Sequence, residues 1–169
     1  DSAKRGEVNL DEPVSRHLPA RVKVPVFEGK EITLRNLAAQ DSGLPFHQGD
    51  LNDWEKKGYT IEEVKRLCEA FTVEDLYSFL PACRLEAAPG TRFGYSNPGM
   101  ALLGHVIELK AGKPYESLLV ERICRPLGMD STGITLSAEQ RSRLARGHNL
   151  EGKVSDNMKL QVGAPAGAI

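Results

Sequence analysis

The apolar positions of this chain recur at helical spacing through its middle. Behind Thr60-Ile61-Glu62-Glu63, a capping-box pattern, Val64, Leu67, Cys68 and Phe71 fall on one face of a helix. Thr72-Val73-Glu74-Asp75 opens a second, with Leu76, Phe79 and Leu80 inward and Pro81 as its stop. The longest apolar run is Met100, Ala101, Leu102, Leu103, Val106, Ile107 and Leu109. It is led in by Asn97 as N-cap with Pro98 at the first helical position, and is closed by Gly112 and Pro114. Leu118, Leu119, Ile123 and Cys124 share a face from Pro114 or Tyr115 to Pro126, and Ser137-Ala138-Glu139-Gln140 is another capping box. The spacing predicts helices over 61–70, 73–80, 98–111, 115–124 and 138–145.

The flanks carry weaker patterns. Asp1 to Arg5 reads as the last turn of a helix stopped by Gly6, and Pro13 to Leu18 as a short helical turn. Val22, Val24 and Val26 alternate with Lys23 and Pro25, but Pro25 demotes the stretch from a regular strand, and Gly29-Lys30 is a turn. Thr33 caps a helix from Leu34 to Gln40, with Leu34, Leu37 and Ala38 inward. Residues 43–53 read as loop, with Trp54 anchoring it on a core, and from His148 to Ile169 periodicity fades. The expected fold is mainly α, a single domain of short helices and long loops with no convincing strand.

Composition narrows the function classes. The chain of 169 residues is long enough for one domain with a modest core, and 40% apolar with 27% charged residues is a globular balance. A formal net charge of −1 gives no footing for nucleic acid or an anionic membrane as partner. No apolar run reaches the ~20 residues of a membrane span, and no signal peptide is visible. Cys68, Cys83 and Cys124 show neither Cys-x-x-Cys spacing nor a histidine pattern, so neither a metal site nor a cofactor is expected. Cys68 and Cys124 read as small buried hydrophobes, and His17, His47 and His105 as partly exposed surface histidines.

The chemistry concentrates between Pro89-Gly90 and Met100. Tyr95, Ser96 and Asn97 place a phenol, a hydroxyl and an amide on one tight turn at a helix start, where backbone N–H groups and the helix dipole converge. Spacing alone fits an N-cap with turn residues as well as a polar cluster aimed into a cleft.

The segment resembles the second active-site box of the serine β-lactamase and penicillin-binding-protein superfamily. It is most similar to the class C β-lactamase, esterase and D-aminopeptidase branch, which carries Tyr-Ser-Asn or Tyr-x-Asn there. Leu10-Asp11-Glu12-Pro13-Val14, Ile32-Thr33-Leu34-Arg35-Asn36-Leu37 with Ser42-Gly43-Leu44-Pro45, Gly112-Lys113-Pro114-Tyr115, Arg125-Pro126-Leu127-Gly128-Met129 and Ala164-Pro165-Ala166-Gly167 resemble further segments of that family, in order. The resemblance implies the helical domain of the β-lactamase fold, without the sheet of its α/β domain. It implies that Tyr95 is the catalytic phenol that protonates the leaving group, that Asn97 holds the amide carbonyl of an acyl substrate, and that Ser96 is a supporting substrate-site hydroxyl. It also implies a small-molecule or peptide acyl substrate and a secreted or periplasmic setting. Ala39-Gln40-Asp41 stands where the family commonly has Thr-His-Thr.

Two of the family's three boxes are missing. No serine is followed by lysine at the third position; Ser2-Ala3-Lys4-Arg5 comes nearest, with Arg5 in the lysine place, and no Lys-Thr-Gly is present. A serine hydroxyl without an adjacent base is a weak nucleophile. The expectation is the helical part of a serine hydrolase, inactive by itself. A shortened or degenerate homologue acting as a non-catalytic binding module is the alternative. If the α/β domain is missing, Leu44, Phe46, Phe93, Tyr95, Val162 and Ile169 flank the bared face, and self-association through it is expected.

Overall fold

The computed structural model describes residues 2–149 and 151–167. Asp1, Leu150 and Ile169, on which some of these expectations fall, lie outside the described residues. The structure is organised around one helix, here α4 (Asn97–Ala111). Its face of Pro98, Ala101, Leu102, His105 and Val106 is buried, and Gly112, at φ 62, closes it by donating its N–H to the Glu108 carbonyl. Only a left-handed residue makes that closure, which is why glycine stands there.

The other helices are shorter. They are α1 (Leu34–Ala39), α2 (Ile61–Ala70), α3 (Val73–Ala82), α5 (Tyr115–Leu119), α6 (Ala138–Arg143) and the single turn α7 (Ala164–Gly167). A π-helical stretch, Val120–Cys124, and a 3-10 turn, Arg125–Leu127, continue α5, and further 3-10 turns cover Val14–His17 and Gly49–Asp53. α4 packs against α1, α3, α5, α7 and the Val14–His17 turn. Val14, Ile32, Leu37, Leu76, Leu80 and Leu102 are fully buried in the resulting core. Each such side chain contributes roughly 1.5–3 kcal/mol, so the fold rests on these contacts. The ion pairs Arg21–Glu74 and Arg35–Asp11 are solvent-exposed on both partners and add little beside them.

The mainly helical expectation holds. Thr33, Thr60, Thr72 and Ser137 each cap a helix with a reciprocal capping box. Gly6, at φ 71, closes the turn over Ser2–Gly6, with Glu7 N–H on Ser2 O and Gly6 N–H on Ala3 O. Two short antiparallel hairpins are additions: β1 (Val26–Phe27) with β2 (Lys30–Glu31), and β3 (Gly147–His148) with β4 (Val154–Ser155). The turn is therefore Glu28-Gly29, both at positive φ, rather than Gly29-Lys30. Pro25 lies just before the ladder, where its missing N–H costs nothing.

Several expectations are corrected. Ser96, not Asn97, caps α4, because its shorter hydroxyl reaches the Gly99 N–H at 3.0 Å. Pro81 does not stop α3, which runs to Ala82. Pro126 lies within the 3-10 turn, and Gly128, at φ 65, ends the element. Ala38 is exposed, α2 buries no residue fully, and Cys68 is half-buried. Leu51, not Trp54, is the buried anchor of its loop. His17 and His105 are buried, not at the surface. His105 Nε2 lies 2.6 Å from the Tyr77 hydroxyl, so a phenol on α3 supplies the partner that a buried imidazole needs. Among the described residues no helix is long and apolar enough to cross a membrane.

Candidate functional site

The Tyr95-Ser96-Asn97 turn is pinned from below by Ser96. Its side chain is fully buried; the hydroxyl donates to the Pro45 carbonyl at 2.8 Å and accepts the Gly99 N–H at 3.0 Å. With both bonds made, this oxygen serves the turn. Gln40 holds the turn from a second side. Its carbonyl accepts the Gly94 N–H at 2.7 Å, and its Oε1 accepts the Ser96 N–H at 3.0 Å. Gln40 itself sits in the left-handed region, at φ 58. Asp41, beside it, accepts the Asn36 amide through its carboxylate and the Gly90 N–H through its carbonyl. These residues replace the Thr-His-Thr of the resembled family with bonds of their own.

Pinning Ser96 turns its two neighbours outward. Tyr95 is 37% exposed, and its hydroxyl donates to the Ala166 carbonyl at 3.1 Å. Asn97 donates from its backbone N–H to the Phe46 carbonyl at 3.1 Å, and from Nδ2 to the same carbonyl at 3.2 Å. His47 Nδ1 stands 3.4 Å from Asn97 Nδ2. Phe46 joins the two ends of the site: its ring lies 4.6 Å from that of His47 and 5.7 Å from that of Tyr95.

Asn97 and His47 stand at the edge of a cavity of about 200 Å³, with Phe71, Ala101, Met158 and Leu160 as its apolar walls. The strand-free segment that carries Met158 and Leu160 is tied across α2. Lys65 donates to the Asp156 carbonyl at 2.6 Å, and the Lys159 N–H donates to Glu69 at 2.9 Å. Burial pushes the His47 imidazole below its ordinary value, favouring the neutral ring, and burial with the nearby Glu69 carboxylate pushes the Cys68 thiol up.

A larger cavity, about 410 Å³, lies further along α4 between His105, Glu108, Tyr115 and Glu116. Its carboxylates are already engaged. Glu108 accepts the Tyr115 N–H, and Glu116 accepts the Ile134 and Thr135 N–H groups and the Thr135 hydroxyl. Among the described residues no group of three histidines, cysteines or carboxylates is placed to hold a metal ion.

The structure thus brings Tyr95 and Asn97 to one rim and places Ser96 beneath them. Sequence reasoning missed His47, since its signal is only its proximity to Asn97 across 50 residues. Gln40 was visible only as a departure from the resembled pattern.

Comparison with known proteins gives the family and the fold of the chain. The Beta-lactamase family profile matches residues 1–168. The D-alanyl-D-alanine-carboxypeptidase/endopeptidase AmpH of Escherichia coli K12 is 36% identical over 140 residues, which are 83% of this chain and 34% of that protein. The crystal structure of a beta-lactamase/D-alanine carboxypeptidase from Yersinia pestis, complexed with citrate, superposes with a TM-score of 0.76 at 31% identity, over 99% of this chain and 43% of the other. A class C beta-lactamase structure superposes with a TM-score of 0.74 at 23% identity, over 99% of this chain and 41% of the other. The chain therefore spans about a third of the length of its AmpH relative and well under half of the two solved chains.

Proposed function

Since the chain belongs to the beta-lactamase family, on the class C-like side of the serine β-lactamase and penicillin-binding-protein superfamily, we propose that it supplies the Tyr-x-Asn element of a serine acyl hydrolase. Tyr95 is the proton donor and Asn97 the substrate contact. The nucleophile and its base lysine come from residues other than these 169, since no Ser-x-x-Lys is present. The substrate is a small acyl compound: a β-lactam, a D-amino peptide or an ester. A serine hydroxyl passes its proton to the base lysine as it attacks the carbonyl carbon, the bond to the leaving nitrogen or oxygen breaks, and Tyr95 delivers the proton that the leaving atom needs and takes back the one held by the lysine. Water then releases the acyl group. Ser96 keeps the two rim side chains in place and does not react.

The observation that carries this reading is the single turn at the start of α4. There one fully buried side chain, Ser96, sets a phenol and an amide on the same open rim. The chain alone is then expected to show no hydrolysis. Turnover of nitrocefin and p-nitrophenyl acetate by the purified chain tests this. Sustained turnover that Ser96→Ala abolishes would make Ser96 the nucleophile and overturn the proposed division of roles.

A further inference from the structure

The cavity beside Asn97 fits a group that the proposed roles of Tyr95 and Asn97 leave unassigned. Its walls come from three parts of the chain. They are Cys68 on α2 with Phe71 at its C-cap, Pro98 and Ala101 on α4, and Met158 and Leu160 on the segment tied across α2. All six side chains are apolar or nearly so. The volume is about 200 Å³. An apolar cavity of about 150 Å³ already holds benzene, so a phenyl ring or a branched aliphatic chain fits here. Among the described residues that line it, none is a lysine, an arginine or a carboxylate. Burial favours the neutral His47 ring and the protonated Cys68 thiol. A charged group placed here would lose its water and meet no counter-ion.

The cavity also lies beside both side chains assigned to the substrate. Asn97 is part of its lining. So is Ala166, whose carbonyl holds the Tyr95 hydroxyl at 3.1 Å. We propose that this cavity takes the side chain of the substrate's acyl group and selects an aryl or branched aliphatic group over a charged one. Phe71, Met158 and Leu160 set the selection. The inference rests on the reading of Asn97 as the substrate contact, and it narrows the substrate class of that site.

The wall that carries Met158 is held by ties on both sides of that residue. Lys65 donates to the Asp156 carbonyl, and the Lys159 N–H donates to Glu69. Met158 itself is 42% exposed, so its side chain can be changed without touching the core. Cys68 is half-buried and lines the same cavity, where a phenylalanine would occupy the space that a ligand ring needs.

The test is a binding titration followed by ¹H–¹⁵N NMR on the whole chain. Three probes share one amide and one carboxylate: N-phenylacetylglycine, N-acetylglycine and N-(4-aminobutanoyl)glycine. The first should shift the backbone amides of Cys68, Phe71, Ala101 and Leu160. It should bind about 10–100-fold more tightly than the second, the worth of one buried aromatic ring. The third should bind no more tightly than the second. Cys68→Phe should abolish the advantage of the ring. Met158→Glu should weaken the phenylacetyl probe and strengthen the aminobutanoyl one, an inversion that a loosened fold would not produce. Equal affinities of the wild type for all three probes would overturn the proposal. So would a ring probe that shifts none of these amides at millimolar concentration, or a preference untouched by Met158→Glu. The readout needs no nucleophile, so such a failure would leave the role of Tyr95 standing. A failure of the hydrolase reading would in turn leave the affinity for the ring measurable.

Discussion

Gly104 and Pro165 pack so closely that a Cβ on the glycine would stand 2.1 Å from the proline Cγ and 2.8 Å from its Cβ. This notch seats α7 on α4. The residue after Pro165 is Ala166, whose carbonyl accepts the Tyr95 hydroxyl. Gly104→Ala gains about 1 kcal/mol of helix propensity but forces a methyl into a rigid ring, and overpacking costs about 1–3 kcal/mol. The expected net is a loss of up to about 2 kcal/mol in urea unfolding, recovered when Pro165→Gly is added. Full stability in the single variant would show that α7 is not seated there.

Ser96→Ala removes more than a cap. An exposed cap such as Thr72 is worth about 1 kcal/mol. Ser96 in addition satisfies the Pro45 carbonyl inside the core, and a buried acceptor left unpaired costs about 1–3 kcal/mol. Urea unfolding should therefore place Ser96→Ala roughly 2–4 kcal/mol below wild type, and Thr72→Ala about 1 kcal/mol below. Equal losses would mean that the Pro45 bond contributes nothing.

How much of this was legible in the sequence depends on how far each partner lies along the chain. The capping boxes of Thr60 with Glu63 and Ser137 with Gln140 were readable because both partners sit within one turn. The cap of α4 was misread by one residue. The choice between Ser96 and Asn97 is made by the Pro45 and Phe46 carbonyls, 51 residues away. His105 looked like a surface residue because its partner, Tyr77, is 28 residues distant. The β1–β2 hairpin has two-residue strands, too short for alternation to register. α2 showed a clean apolar face that in fact walls a cavity, where Cys68 and Phe71 stay half-buried. The Tyr-x-Asn box was legible as a motif, but the neighbouring role of His47 needed coordinates.

Stability should fall on mild acidification because of His17. Its side chain is 1% exposed, and neither ring nitrogen makes an aligned hydrogen bond, although Glu12 Oε2 is 3.2 Å from Nε2. Burial first, then Lys110 and Arg16, lower its pKa against the opposing pull of Glu12. A folded-state pKa below the unfolded value of about 6.5 means that protons bind the unfolded chain more readily. The stabilisation is thus complete above about pH 6.5 and is lost as pH falls from there toward the folded pKa. Unfolding series at pH 7.5, 6.5 and 5.5 should show this loss, shallower in His17→Leu while His47 keeps its own share. A slope identical in that variant would count against the assignment to His17.

The rim carries exposed aromatic surface: Phe93 is 72% exposed, Phe46 52% and Tyr95 37%. Leu44, expected beside them, is buried, and Val162 is half-buried against the core. Light scattering should show a mass that rises with concentration, and Phe46→Ser with Phe93→Ser should suppress it. A strict monomer at all concentrations would contradict self-association through this face.

The central claim is that Tyr95 acts as proton donor in an acyl-transfer site completed by residues outside this chain. A chimera measures it most directly, with these 169 residues replacing the matching stretch of the Escherichia coli carboxypeptidase/endopeptidase. The readout is D-alanyl-D-alanine carboxypeptidase turnover at equal folded fraction. The account predicts turnover by the chimera and a fall of about 10²–10⁴-fold in kcat on Tyr95→Phe, the range of a lost general acid. A folded chimera that is silent, or one that turns over as fast with phenylalanine at position 95, would contradict it.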